Sequence, residues 1–200
     1  MAHTTDHGNP KAGTRKRADA ERNIAAIITA ATESFARDPD ASMTDIARAA
    51  GLGRVTLYAH FPSREQLLRA VLAETIAESI GVIEAASPAE GPPAEALARV
   101  IRSCWPLLSR FGGLHAAAQR TLPADEVRRR HDPPMAHVER LIARGRAEGA
   151  FRTDLPVEWL VTTVYTLLHA AADEAAAGRL DTDAVGEILE RTLLAALKPG

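Results

Sequence analysis

The sequence predicts an all-α protein of about nine helices, and three observations support this prediction. Hydrophobic residues make up 46% of the chain but aromatic residues only 4%. Alanine, which has the highest helix propensity, supplies much of the apolar content. Few runs are rich in the β-branched residues that favour strands. Apolar side chains also recur at the three- and four-residue intervals of amphipathic helices along most of the chain.

Composition and net charge limit the compartment and the partners that we expect for the protein. The net charge is −2, so the chain as a whole is not a polycation. A single cysteine, Cys104, excludes an intramolecular disulfide and suits a reducing compartment. No apolar run approaches the roughly 20 residues that cross a bilayer, and no apolar signal core stands at the start. We therefore expect a cytoplasmic protein with no membrane partner.

The N-terminal region is locally basic. Residues 1–16 predict a flexible arm, and we expect its Arg15 and Lys16, with the adjoining Arg17, to contact DNA phosphates. The alternative is a tail without a role. A first helix is predicted from about Ala18 to Ala36, because its apolar residues follow the ladder of an amphipathic helix.

A helix-turn-helix pattern follows in residues 42–61. Ser42 has the position of a helix cap, with Asp45 as its capping-box partner. Gly51 and Gly53 then break the first short helix. A second helix of about two turns follows, and in this motif the second helix enters the DNA major groove.

The motif carries a more specific resemblance. The run Gly51-x-x-x-x-Thr56-Leu57-Tyr58-x-His60-Phe61-x-Ser63-Arg64-Glu65-x-Leu67 resembles the DNA-binding domain of the tetracycline-repressor (TetR) family of bacterial regulators. The resemblance covers residues 17–68 in detail. It implies an all-helical homodimer that represses genes and releases its operator when a small molecule binds. Gly53 departs from the family pattern, which usually has a serine or similar cap there.

We predict three segments on this basis: the arm at 1–16, a DNA-binding domain at 17–62, and an effector-binding and dimerisation domain at 63–200 that opens with a linking helix at 63–86. Within the DNA-binding domain, Arg54 is the best candidate for guanine readout because its fork can bind O6 and N7 together. The resemblance assigns phosphate contacts to Tyr58, His60 and Arg64. The predicted DNA-contacting residues are Arg15, Lys16, Arg17, Ser42, Thr44, Arg54, Val55, Thr56, Tyr58, His60 and Arg64.

The C-terminal part predicts a helical bundle. Pro106 should kink its first helix, and Gly112-Gly113 should end it. Another break is predicted at Asp132-Pro133-Pro134. The last two helices are expected to form a two-fold dimer interface, although the alanines could instead fill the core of one chain. The expected interface residues are the alanines at 170–172 and 175–177 together with Ile188, Leu189, Thr192 and Ala196.

Effector sites in such bundles lie between helices and have apolar walls with a few polar groups. The candidate ligand-binding residues are Trp105, Phe111, His115, Tyr165 and His169, for each of which ordinary core packing is the alternative. Neither His131 nor His137 has the spacing of a zinc site, and Cys104 has no partner cysteine. We therefore expect no metal and no cofactor.

These features predict a DNA-binding transcriptional regulator, most simply a repressor that a small, mostly apolar effector releases from a double-stranded operator. An enzyme is disfavoured, since the sequence lacks a glycine-rich phosphate loop and a Gly-x-Ser-x-Gly or His-Glu-x-x-His motif. A helix-turn-helix protein without an effector remains the alternative.

Overall fold

The structure is a computed structural model that describes the backbone of residues 10–200 and the side chains of residues 17–200. This part of the chain contains helices and no strands, which confirms the predicted all-α class. None of its helices is long and apolar enough to span a bilayer. The nine helices are α1 (Pro10–Arg37), α2 (Met43–Ala49), α3 (Arg54–His60), α4 (Arg64–Ala85), α5 (Pro93–Thr121), α6 (Ala124–Arg130), α7 (Asp132–Ala147), α8 (Val157–Ala176) and α9 (Thr182–Leu197).

The first helix begins earlier than the sequence predicted. It starts at Pro10 instead of near Ala18, so residues 10–16 of the predicted arm are helical. Proline suits the first helical turn because it needs no hydrogen-bond partner for its nitrogen, and the lysine, alanine and arginine that follow favour helix. Residues 1–9 of that arm lie outside the described residues.

Serine side chains cap the starts of α2 and α4, and the predicted cap of α2 at Ser42 is confirmed. The Asp45 amide donates to Ser42 Oγ at 3.2 Å, and the Gln66 amide donates to Ser63 Oγ at 3.3 Å. Between α2 and α3 the chain turns at Gly51, whose φ of 67° is a conformation that favours glycine. As expected from Gly53, the start of α3 has no side-chain cap.

Two apolar cores organise the nine helices. The head core contains residues of α1, α2 and α3, and it also includes the first half of α4, the end of α5 and Val127 of α6. The body core joins the end of α4, the first part of α5, and α7, α8 and α9. The predicted domain boundary at residue 62 stays a prediction, but the head core extends across it.

Helix α5 corrects the predicted break at Gly112-Gly113. The helix continues to Thr121 and departs from helical geometry only at Phe111, where φ is −112° and ψ is 16°. A Cβ at Gly113 would lie 2.4 Å from the carbonyl oxygen of Ala36 and 2.6 Å from that of Phe35. Here glycine allows α1 and α5 to cross closely, and it does not end the helix.

The break predicted at residues 132–134 is likewise wrong. Helix α7 begins at Asp132, so Pro133 and Pro134 stand in its first turn. Proline is tolerated there because the first-turn nitrogens have no partner within the helix. The chain changes direction one residue earlier, at His131, which joins α6 to α7.

Candidate DNA-binding surface and ligand cavity

Helix α3 presents an open face. Leu57 is fully buried in the head core, whereas Val55 on the other side is 86% exposed and Tyr58 is 40% exposed. Arg54 is also exposed, and Thr56 and His60 are half-buried. An apolar side chain as exposed as Val55 is available to contact a thymine methyl group. The face predicted to read DNA is therefore free to do so.

The remaining predicted contacts lie in α1 and α2. Ser42 is exposed and Thr44 half-buried at the start of α2, where backbone N–H groups can meet a phosphate. Arg17 is exposed on α1. The side chains of Arg15 and Lys16 lie outside the described residues. All of these contacts stay predictions.

Arg64 has a structural role that the sequence did not reveal. Its guanidinium donates to the backbone carbonyl of Pro39 at 2.6 Å and to that of Ala41. It also lies over the ring of Phe35, 4.7 Å from the centroid. These contacts hold the α1–α2 connection against the start of α4. The predicted phosphate contact of Arg64 is untested, and the packing makes a bracing role the better supported one.

Replacing Arg64 with alanine is expected to destabilise the protein by about 2–3 kcal/mol, because two hydrogen bonds from a charged group are lost. Chemical denaturation would measure this loss. Arg48 offers a matched control on the neighbouring helix α2, since it is exposed and pairs with Asp45. Arg48→Ala should cost less than about 1 kcal/mol. Equal effects of the two substitutions would contradict the bracing role.

A cavity of about 80 Å³ lies between α4, α5 and α8. Three of the predicted ligand-binding residues, Phe111, His115 and His169, line it. Its walls are mostly apolar, and Asp173 and the hydroxyls of Thr75 and Ser79 add polar groups. The complete lining is Leu72, Thr75, Ile76, Ser79, Leu107, Leu108, Phe111, Gly112, Leu114, His115, His131, His169, Ala172 and Asp173.

The other two predicted ligand residues do not line this cavity. Trp105 is buried in the body core, where its indole Nε1 donates to the Thr182 carbonyl at 3.0 Å and so attaches the start of α9 to α5. Its assignment as a ligand residue stays a prediction. Tyr165 lies behind His169, with a distance of 4.4 Å between the ring centroids.

The sequence did not predict that His131 lies beside His115 and His169 at the cavity. The centroids of the His115 and His169 rings are 3.9 Å apart, and the His131 ring lies 5.4 Å from His115 and 5.0 Å from His169. These residues come from α5, the α6–α7 junction and α8. No spacing along the chain indicates such a cluster, because only the packing of the three segments brings the rings together.

Burial keeps these imidazoles neutral. It lowers the pKa of His115 to about 2 and that of His169 to about 4, and the neighbouring histidines add to the effect. Burial also lowers the pKa of His131, although its bond to a backbone carbonyl opposes the change. At neutral pH each ring therefore has one nitrogen lone pair.

An ion pair joins the linking helix α4 to the segment that carries His131. Arg69 donates two hydrogen bonds to the Glu126 carboxylate on α6, at 2.8 and 3.0 Å. Arg130 bonds the same carboxylate. The bonds from Arg69, and then from Arg130, lower the pKa of Glu126 to about 2. Helix α4 thus borders the cavity, and this ion pair also attaches it to α6.

Residues 27–71 match the family model described as bacterial regulatory proteins, tetR family. That segment contains α2 and α3, and it also includes the head-core residues of α1 and most of those of α4. Residues 27–71 are thus similar to the tetR family, as the resemblance in the sequence predicted.

The chain is similar to one regulator both in sequence and in structure. Over 83 residues the chain is 43% identical to the HTH-type transcriptional repressor LfrR of Mycolicibacterium smegmatis, and the alignment spans 42% of this chain and 44% of LfrR. It thus spans less than half the length of that relative. The crystal structure of LfrR in complex with proflavine gives a TM-score of 0.70 at 28% identity, and covers 88% of this chain and 97% of LfrR.

A more distant regulator has the same fold. The structure of FadR from Bacillus subtilis in complex with stearoyl-CoA has a TM-score of 0.70 at 19% identity, and covers 86% of this chain and 98% of FadR. Both neighbours were thus solved with a small molecule bound.

Proposed function

We propose that this protein is a ligand-responsive transcriptional repressor that binds a palindromic or pseudo-palindromic operator as a homodimer. The observation that carries the proposal is the open face of α3, on a segment that matches the family's DNA-binding model. Arg54 would read a base through its fork, and Val55 and Thr56 would contact base edges beside it. Tyr58, His60, Ser42, Thr44 and the basic start of α1 would hold the phosphates.

Two copies would join through α8 and α9. Trp159 is 59% exposed on α8, and Ile188 is 45% exposed on α9. Large apolar side chains this exposed favour a protein partner. We call the exposed faces that carry these two residues the open stripes of α8 and α9. They also contain small or polar exposed residues, namely Thr166 and Ala170 on α8 and Ala184 and Thr192 on α9. The sequence-based interface included Ala171, Ala172 and Leu189, which are instead buried within one chain.

The cavity between α4, α5 and α8 is the proposed effector site. Its volume of about 80 Å³ is smaller than the roughly 150 Å³ that admits benzene in an engineered protein cavity. An effector must therefore widen it. Because α4 forms one wall and also begins in the head core, widening would displace the head and lower operator affinity. This mechanism supports a repressor over a DNA-binding protein without an effector.

The matched relative is a transcriptional repressor, so we propose no catalytic activity. The protein would act in the cytoplasm, where bacterial DNA is accessible to it. A second, open depression of about 640 Å³ lies beside the α4–α5 loop. The guanidinium of Arg99 there bonds the loop carbonyls of Ala86, Ser87 and Glu90. We interpret this depression as a braced surface groove.

Selection of bound duplexes from a random pool would test the proposal, with Arg54→Ala as the diagnostic variant. The wild-type protein should select two related half-sites about one helical turn apart or somewhat more. The variant should lose about 1–3 kcal/mol per copy and relax its preference at one base pair of each half-site.

Arg129→Ala is the control for this experiment, because Arg129 is exposed on α6 and pairs with Asp125. Its affinity and sequence preference should match those of the wild type. Arg54 does not read a base if its removal changes neither quantity. A wild-type protein without preference among duplexes would refute the proposed function itself.

A further inference from the structure

Three histidines from separate segments converge on one point beside the cavity. His115, His131 and His169 each offer a ring nitrogen, and the three nitrogens lie within 4.8 Å of one another. The expectation of no metal site depended on the spacing of His131 and His137 along the chain. The fold instead places His131 beside two histidines that are distant in sequence.

Backbone carbonyls fix the tautomers of two of these rings. His131 Nδ1 lies 2.8 Å from the Val127 carbonyl oxygen, and His169 Nδ1 lies 3.0 Å from that of Tyr165. A carbonyl can only accept, so Nδ1 of each ring carries the proton and Nε2 keeps its lone pair. Metal-binding histidines usually donate their other ring N–H to a carbonyl or carboxylate in this way.

The third ring has an orphaned nitrogen. His115 is 7% exposed, and its buried Nδ1 has no hydrogen-bond partner among the residues that the structure describes. Its Nε2 lies 2.9 Å from the amide nitrogen Nε2 of Gln119. The oxygen and nitrogen of a glutamine amide exchange places when the group turns by 180°, and the amide oxygen then accepts a hydrogen bond from His115 Nε2–H. His115 Nδ1 then holds a lone pair that lacks only an electron-pair acceptor.

We propose that His115 Nδ1, His131 Nε2 and His169 Nε2 bind one divalent transition-metal cation of the zinc class. Neutral imidazoles suit zinc, copper, nickel and cobalt better than magnesium or calcium. Three protein ligands leave a fourth position of a tetrahedral ion open, and all three histidines line the cavity. The proposal goes beyond the DNA-binding function and stands without it.

Metal binding would require the three nitrogens to move closer together, and the charged groups near the cluster are compatible with a bound cation. Nitrogens bound to one tetrahedral zinc lie about 3.3 Å apart, which follows from bonds of about 2.0 Å. Arg128 is a cation near the cluster; it lies over the Tyr165 ring and pairs with Asp132 at 2.9 Å. Asp173, which lines the cavity, would favour a cation.

Titration of the chelator-treated full chain, made without a metal-binding tag, tests this proposal. Calorimetry with Zn²⁺ should give one site per chain, and Co²⁺ should give the visible absorption of a tetrahedral nitrogen site. Saturating Zn²⁺ should raise the melting temperature, because an ion that binds only the folded state stabilises it. His131→Gln and His169→Gln should each weaken binding by at least about 100-fold, beyond what the loss of an outer-shell partner costs.

His137→Gln is the matched control, since His137 lies on α7 near Glu84 and outside the cluster. It should bind the metal like the wild type. His131 is half-buried at the α6–α7 junction, so circular dichroism would verify that each replacement leaves the fold intact. Absence of a stoichiometric site would overturn the proposal. Binding that survives both His131→Gln and His169→Gln would also overturn it, and would point to other histidines such as His3 and His7.

Discussion

Gly113→Ala is expected to destabilise the protein by about 2–3 kcal/mol, the range for overpacking a close contact. Its new methyl group would lie 2.4 Å from the Ala36 carbonyl oxygen and 2.6 Å from that of Phe35. Both atoms belong to the backbone of α1, so no side-chain rotation can make room. Helices α1 and α5 would have to separate where the head core joins them. Urea denaturation would measure the effect, and operator affinity should fall with it.

The neighbouring glycine provides an internal control. A Cβ at Gly112 would meet Ala172 Cβ at 3.6 Å, which is ordinary contact. Alanine is a better helix former than glycine by about 1 kcal/mol, so Gly112→Ala should be neutral or stabilising. The two substitutions are chemically identical and adjacent, and they should have opposite signs. If Gly113→Ala also stabilised the protein, the close crossing of α1 and α5 would be disproved.

Charges on the open stripes of α8 and α9 should abolish dimerisation. In the double variant Trp159→Glu with Ile188→Glu, four carboxylates would face one another across a two-fold interface. Multi-angle light scattering should then report a monomer at micromolar concentration. Operator affinity should fall by roughly 10²–10⁴-fold, because the two heads no longer bind as one linked unit. Each head would still contact a half-site, so weak binding should persist.

Ala143→Glu is the control for this variant, since it adds a carboxylate to the exposed face of α7. It should leave the protein dimeric and operator affinity nearly unchanged. A double variant that stays dimeric would place the interface elsewhere. A wild-type protein that is itself monomeric would refute the two-fold model.

Local features of the structure were predictable from the sequence. The caps at Ser42 and Ser63, the turn at Gly51 and the exposed face of α3 depend on residues within about one helical turn of each other. Such patterns have a physical meaning that does not depend on the rest of the chain. The family resemblance drew on the same local segment, and the comparisons confirmed it.

Features that depend on distant packing were not predictable. The glycines of α5 suggested a break because sequence alone does not show that α1 passes over Gly113. The bracing contacts of Arg64 were missed because its partners, the carbonyls of Pro39 and Ala41, carry no side-chain signal. His131 likewise gains its meaning only from rings that other helices bring beside it.

The close crossing of α1 and α5 at Gly113 also determines the distance between the cavity and α1. Phe111 and His115 line the cavity, and Gly113 between them touches the backbone of α1. The cavity lining and the contact with α1 therefore lie on the same turn of α5, so little more than the 10–12 Å thickness of a helix separates the cavity from α1. An incoming molecule that tilted this turn would shift α1 directly, without any relay through the rest of the bundle.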